Sequence, residues 1–264
     1  MKKLFLLIAL IGIVATGCDY FPEEGYSSRY EIRYTTTDGK AIAGPAWMNE
    51  SGFGANILSI NYYGSYGTIE FDDEVTSIPS SFFSYKSRLE TIILPNSVTS
   101  ISAYAFRDCK GLTSIIIPDG VTTIYHTTFK NCTSLESVSL GNGVTEIGDN
   151  AFDCCHSLKS VAIPDTVTSI GMQAFSECSN LETVTLGSGV TEIGYFAFHW
   201  CSGLKSIYCK ATTPPLIDHA WDLHIFTDSN CKIYVPRNSV EAYKSADGWS
   251  WYAEYADCIV GYDF

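Results

Sequence analysis

Leu158-Lys159-Ser160-Val161-Ala162-Ile163-Pro164-Asp165-Thr166-Val167-Thr168-Ser169-Ile170-Gly171, followed by Ala174-Phe175 and Cys178, is one unit of a 23-residue period. Leu89, Leu112, Leu135, Leu158, Leu181 and Leu204 keep that period without a gap. Val98, Val121, Val144, Val167 and Val190 keep it too, as do Ile101 to Ile193, Phe106 to Phe198 and Cys109 to Cys201. The unit reads L-x-x-[IV]-x-[LI]-[PG]-x-x-V-T-x-I-x-x-x-[AT]-F-x-x-C-x-x. Five full copies follow one another at 89–111, 112–134, 135–157, 158–180 and 181–203.

In each copy the apolar pair after the leucine alternates, which is the period of a strand with one buried face. Pro95, Pro118, Gly141, Pro164 and Gly187 stop that strand. The V-T-x-I piece predicts a second short extended segment, and A-F-x-x-C predicts a short helical turn that sends its Phe inward. One such coil cannot bury its own apolar side, so neighbouring coils must stack. Stacked strands pair in parallel at ~4.8 Å, and eight of them make a rod about 35–40 Å long. A weaker 46-residue period lies over the first. Gly141-Asn142-Gly143 and Gly187-Ser188-Gly189 share a turn, and Glu136 and Glu182 alternate with Lys159 and Lys205 at one strand position.

The unit resembles the BspA-like class of leucine-rich repeats, found in surface proteins of anaerobic Gram-negative bacteria and some mucosal parasites. The resemblance extends over about residues 66–240. It implies a β-rich solenoid, a right-handed coil of short strands and short helical turns, that binds other macromolecules and performs no catalysis.

The ends depart from the repeat, as solenoid caps do. Lys2 and Lys3, an apolar run from Leu4 to Val14 and small residues at 15–17 form a secretory signal too short to span a bilayer. Its junction with Cys18 resembles a bacterial lipobox, which implies a lipidated Cys18 and an outer-membrane lipoprotein held by that anchor alone. The acidic stretch Asp19 to Glu24 suits a tether and resembles the surface-export signals of Bacteroides-type lipoproteins. The expected division is a signal peptide at 1–17, a tether at 18–25 and a β-rich N-terminal cap at 26–65. The solenoid follows at 66–240 and a C-terminal cap at 241–264.

In the N-terminal cap, Tyr30 to Tyr34 alternates, Asp38-Gly39 signals a hairpin turn, and Ile57 to Tyr63 reads as a strand. Residues 66–88 are a degenerate first repeat, with Tyr66 in the place of Leu89. Near the other end Ser239 is a candidate N-cap, with Gly248 closing the helix.

The chain has 264 residues, sixteen basic against twenty-nine acidic, and a net charge of −13. Loss of 1–17 removes two lysines and no acid, leaving −15. Such a surface lacks the basic stripe that nucleic acid requires. No H-E-x-x-H, G-x-S-x-G or G-x-x-x-x-G-K occurs, the five histidines fall at unrelated phases, and 26–65 is too short for a catalytic domain. No catalytic residue, cofactor or metal site is expected. Of the ten cysteines, the five at Cys109, Cys132, Cys155, Cys178 and Cys201 predict a ladder of buried thiols. Cys209, Cys231 and Cys258, outside that ladder, are the better disulfide candidates.

The binding candidates are the outward positions of the first strand: Thr91, Ser114, Ser137, Ser160, Thr183 and Ser206, and beside them Ile93, Ile116, Ser139, Ala162, Thr185 and Tyr208. They predict a hydroxyl-rich shelf, apolar at one end, for a protein or glycan. Serine and threonine also simply suit a crowded sheet. A second candidate is the aromatic group Tyr195, Phe196, His199 and Trp200, which either contacts a ligand or packs under the C-terminal cap. The expectation is a monomeric surface protein that binds host or bacterial macromolecules. The alternative is an envelope module that binds another bacterial component.

Overall fold

The structure, a computed structural model, describes residues 30–42, 52–217, 231–249 and 258–264. The expectations for the signal, Cys18 and the tether therefore lie outside the described residues. Three strands open the fold: β1 (Glu31–Thr36), β2 (Ile57–Tyr62) and β3 (Gly67–Phe71). After them the chain coils with the period of the repeat. Each coil has three rows: a front strand, a two-residue second strand and a turn row.

The front strands of the five copies are Leu89–Ile93, Ser114–Ile116, Ser137–Ser139, Ser160–Ala162 and Thr183–Leu186. Val161, Val184, Ile115 and their equivalents face the core, and hydroxyl side chains face out. The second row runs from Ser77–Ile78 through Glu146–Ile147 to Leu216–Ile217 as one seven-stranded parallel sheet. Each of its strands buries its isoleucine.

The front row is not one sheet. It divides between Ser137–Ser139 and Ser160–Ala162, which share no ladder. Just before them, the Lys159 N–H reaches the Glu136 carbonyl at 3.4 Å, against 2.8 Å for the equivalent bonds of Glu136 and Glu182.

The turn row corrects the expectation of a helical turn. Ala105, Arg107 and Cys109 donate their N–H groups three residues back, to Ser102, Tyr104 and Phe106. Tyr104 and Asp108, with their equivalents in every copy, have φ of 54–61°. Such left-handed residues break a helix into successive tight turns. The physical reason is where the backbone N–H groups go, since a helix would keep them within its own coil. The turns instead send N–H groups to the next coil, as Phe106 does to Thr128, Phe129 to Ala151 and Phe152 to Ala174, at 2.7–2.9 Å.

Inside this row the phenylalanines from Phe83 to Phe198 stack with centroids 5.0–5.3 Å apart and planes within 8° of parallel. The thiol ladder forms beside them. Cys109, Cys132, Cys155, Cys178 and Cys201 each donate S–H to the carbonyl of the phenylalanine 26 residues earlier, at 2.9–3.3 Å.

The 46-residue period also has a geometric cause. Asp119 and Asp165, in the proline-containing turns, accept the N–H of Asn142 and Ser188 at 2.8 Å. A Cβ on Gly143 or Gly189 would stand 2.0 or 2.2 Å from the carbonyl oxygen of Asp119 or Asp165. A P-D turn thus stacks under a G-x-G turn, and the two alternate.

The N-terminal cap differs from its expectation in two ways. Gly39 does adopt a left-handed turn, with φ 64°, but β1 forms no hairpin with the next described strand. Instead β1 lies between β3 and Leu89–Ile93, antiparallel to both. The strand of the degenerate first repeat therefore pairs with β1 rather than with the second repeat. Tyr66 does not fill a leucine slot. It is half-buried, and its carbonyl accepts the Tyr63 N–H across the tight β2–β3 turn. Val75, Ile78 and Phe83 keep phase and are fully buried.

At the other end the front sheet runs on past 240. Ser206–Cys209, Lys232–Pro236 and Ile259–Tyr262 pair in parallel, so the last strand lies within the expected cap. A short helix α1 (Val240–Ser245) starts after Ser239, whose side chain makes no cap bond, and Ala246 ends it. Tyr243 and Trp249, both fully buried, plug the core. Their polar atoms donate to the carbonyls of Ala211 and Pro215 at 2.8 and 2.7 Å. No bridge joins Cys209, Cys231 and Cys258. The parallel register sets Cys209 at the far end of its strand from the other two, and its thiol meets the Tyr243 hydroxyl at 3.0 Å instead.

Candidate functional site

The front sheet presents the expected outward rows. Thr91, Ser114 and Ser137 stand in one register, and Ser160, Thr183 and Ser206 in another, on the two sides of the sheet division. Ile93 and Ile116 are 42% and 49% exposed, so the apolar end is on the surface. Thr91 meets the Thr35 hydroxyl of β1 at 2.8 Å, which extends the hydroxyl row into the cap. Salt bridges of Lys159 with Glu136 and of Lys205 with Glu182 edge the face, with both partners well exposed.

The row through Ser139, Ala162, Thr185 and Tyr208 ends in an aromatic cluster that the repeat pattern did not reveal. Tyr208 stands opposite Tyr234, with centroids 4.7 Å apart and planes 12° from parallel. Tyr262 meets both edge-on at 5.4 and 5.6 Å, and Phe264 extends the group. Tyr262 and Phe264 are 42% and 53% exposed. Extending the Tyr208 column by one strand would have found Tyr234. Tyr262 lay hidden because its strand is outside the period.

Tyr195, Phe196, His199 and Trp200 do form one contiguous group, with successive centroids 3.7, 4.3 and 4.8 Å apart, and Trp200 is well exposed. This group sits in the turn row, away from the front face. Residues 218–230, which would follow it in the stack, lie outside the described residues.

A groove of about 1080 Å³ runs along the second row past Thr123, Glu146, Glu192 and Leu216. Asp149 and Met172 stand on its wall. Its described lining carries carboxylates and no Lys or Arg.

The polar groups with chemical capacity lie in the turn row. His126 rests edge-on against Tyr104 at 5.0 Å. Burial pushes the Cys109 thiol up to about 12 and raises Cys132, Cys155 and Cys178 as well, so these four thiols stay protonated. Cys154 differs, being half-buried at the surface edge. Its Sγ, a nitrogen of His156 and a carboxylate oxygen of Glu177 lie within 4.8 Å of one another. No ligand-spacing motif announces this trio, because Glu177 comes from the following coil.

Among known proteins, the model of the BspA type leucine-rich repeat region matches residues 59–161 and 145–220, in six copies. No curated protein matches. A leucine-rich repeat protein from Bacteroides ovatus is 28% identical with a TM-score of 0.50, over 69% of this chain and 47% of its own. The pneumococcal vaccine antigen PcpA shares the fold at 16% identity and a TM-score of 0.51, over 72% of this chain and 45% of its own. A leucine-rich repeat protein of T. pallidum is 33% identical over 45% of this chain and 57% of its own, with a TM-score of 0.44. The chain thus spans about half the length of these solved relatives. The match indicates a leucine-rich repeat scaffold. With the 23-residue coil, the phenylalanine stack and a family match over more than half of its length, the chain belongs to the BspA-type leucine-rich repeat family.

Proposed function

We propose that this protein is a non-enzymatic, surface-exposed binding protein. It holds a host or bacterial macromolecule on the front sheet and is anchored to the outer membrane through Cys18. The observation that carries the reading is the Tyr208–Tyr234–Tyr262–Phe264 cluster at the end of a hydroxyl-lined sheet. Tyrosines fixed by stacking lose little entropy on binding and are enriched among residues that dominate interface energy. The Ser and Thr rows between Ile93 and Tyr208 give the ligand hydrogen-bonding groups at the strand spacing. Family membership and the lipobox-like junction at Cys18 support a surface location.

The test pairs protease treatment of intact cells with binding of the isolated protein to immobilised matrix proteins and glycans. Surface cleavage, and binding weakened about 30-fold by Tyr234→Ala, are the expected results. A protein left uncut on intact cells that binds a component of its own envelope points to the structural alternative. A clear hydrolytic turnover overturns both.

A further inference from the structure

The three parts of the Cys154 site meet because of the coil geometry. Cys154 and Glu177 occupy the same repeat position in neighbouring coils, the left-handed residue of the second tight turn, with φ 60° and 56°. Their backbones are pinned coil to coil, Cys154 N–H to Ser176 O at 2.9 Å and Glu177 N–H to His199 O at 2.8 Å. His156 follows two residues after Cys154, and its carbonyl accepts the Asn180 N–H at 3.2 Å. Its Nε2 stands 4.0 Å from a Glu177 carboxylate oxygen, with the two side chains 47% and 42% exposed. The other copies carry Asp108, Asn131 and Trp200 at the Cys154 position, and Lys110, Thr133, Ser179 and Ser202 at the His156 position. Only the 135–157 coil supplies a thiol and an imidazole at these two positions.

We propose that Cys154, His156 and Glu177 bind a divalent metal ion, zinc by the chemistry of its ligands, with a fourth position open to water. Thiolate, imidazole and carboxylate are the ligand types zinc accepts, and three protein ligands plus a water are a common arrangement for it. Zinc bonds of about 2.0–2.3 Å place tetrahedral ligand atoms roughly 3.3–3.7 Å apart. The trio needs to close by about 1 Å, which rotation of two half-exposed side chains supplies while the pinned backbones stay in place.

The local field favours a cation. Asp153, nearly buried and held by Lys130 at 2.7 Å, accepts the Cys154 thiol at 3.5 Å. The Glu177 and Asp153 carboxylates beside the thiol supply the negative charge that attracts a dication. Binding then exchanges one thiol proton for the metal, forming the metal–sulfur bond as the proton leaves to solvent. The site spans the 135–157 and 158–180 coils, the pair whose front strands share no ladder. The metal ties the turn row across that boundary.

Cobalt(II) and zinc titrations of the full chain test this. Cobalt gives a near-ultraviolet thiolate charge-transfer band and tetrahedral visible absorption at one equivalent, and zinc displaces it. Cys154→Asn and His156→Thr place at each position the residue the preceding copy carries there, so the fold tolerates them. Each loses the band or weakens metal binding by about 100-fold, and Glu177→Gln weakens it about 10–100-fold. If the wild-type chain shows no such band, or if Cys154→Asn keeps it while its circular dichroism and melting stay normal, the site does not exist.

Discussion

At the scale of single residues, what matters is how little room each repeat position leaves. Phe152 stacks between Phe129 and Phe175 at 5.1 Å on both sides, with no exposed surface. Phe152→Ala opens a cavity that neither neighbour can fill, and denaturant unfolding should show a loss of about 3–5 kcal/mol. Gly143→Ala sets a methyl against the Asp119 carbonyl and should cost about 1–3 kcal/mol in the same measurement, through strain rather than lost area. Residue identity at these positions was legible because a 23-residue period repeats the same demand in every copy. Tyr66 was misread for the converse reason. It keeps the phase of the leucines, but β1 takes the neighbouring place in the sheet, and phase alone does not reveal an inserted strand.

Among elements, the thiol ladder gives the protein a particular sensitivity to alkali. A thiol whose acidity is suppressed on folding holds its proton more tightly in the folded chain. Its contribution is therefore complete below the ordinary thiol pKa of about 8.5 and fades as pH rises towards the folded value. For Cys109 that window runs from about 9 to about 12. Cys132, Cys155 and Cys178 shift in the same direction, as does the buried Tyr243 hydroxyl. Each fully shifted thiol adds about 1.4 kcal/mol of instability per pH unit inside its window. Urea unfolding at pH 7, 9 and 10 should show a steep alkaline decline, and Cys155→Ala should make that decline shallower. The ladder was readable from sequence as buried cysteines, whereas the turn row that carries it was not. A-F-x-x-C has the composition of a helical turn. What takes the helix's place is the set of N–H bonds from each turn to the next coil, a constraint imposed by the neighbouring coils rather than by the motif.

For the molecule as a whole, the five copies are equivalent in sequence but not in cohesion. Repeat stability is close to a sum of unit and interface contributions, so the weakest interface sets where opening begins. The division between Ser137–Ser139 and Ser160–Ala162 marks that interface. Hydrogen exchange should be faster across 137–142 than across the matching segments 114–119 and 183–188, and uniform exchange would contradict it. The aromatic end of the front face belongs to this scale too, since Tyr208, Tyr234 and Tyr262 converge only once the last strand is in place.

The reversed direction of β1 has a consequence for polymer growth. A parallel coil is an open lattice, and a second copy docked on its first strand would simply continue it, head to tail and without closure. Among the described residues the outermost strand at that end is β2, which runs against the solenoid strands, while the last strand at the other end runs with them. Between these described strands the parallel lattice does not continue from one molecule to the next. A chain lacking 30–71 exposes Leu89–Ile93 as a free parallel edge and should form open-ended fibres by light scattering and electron microscopy, whereas the intact chain keeps its finite length.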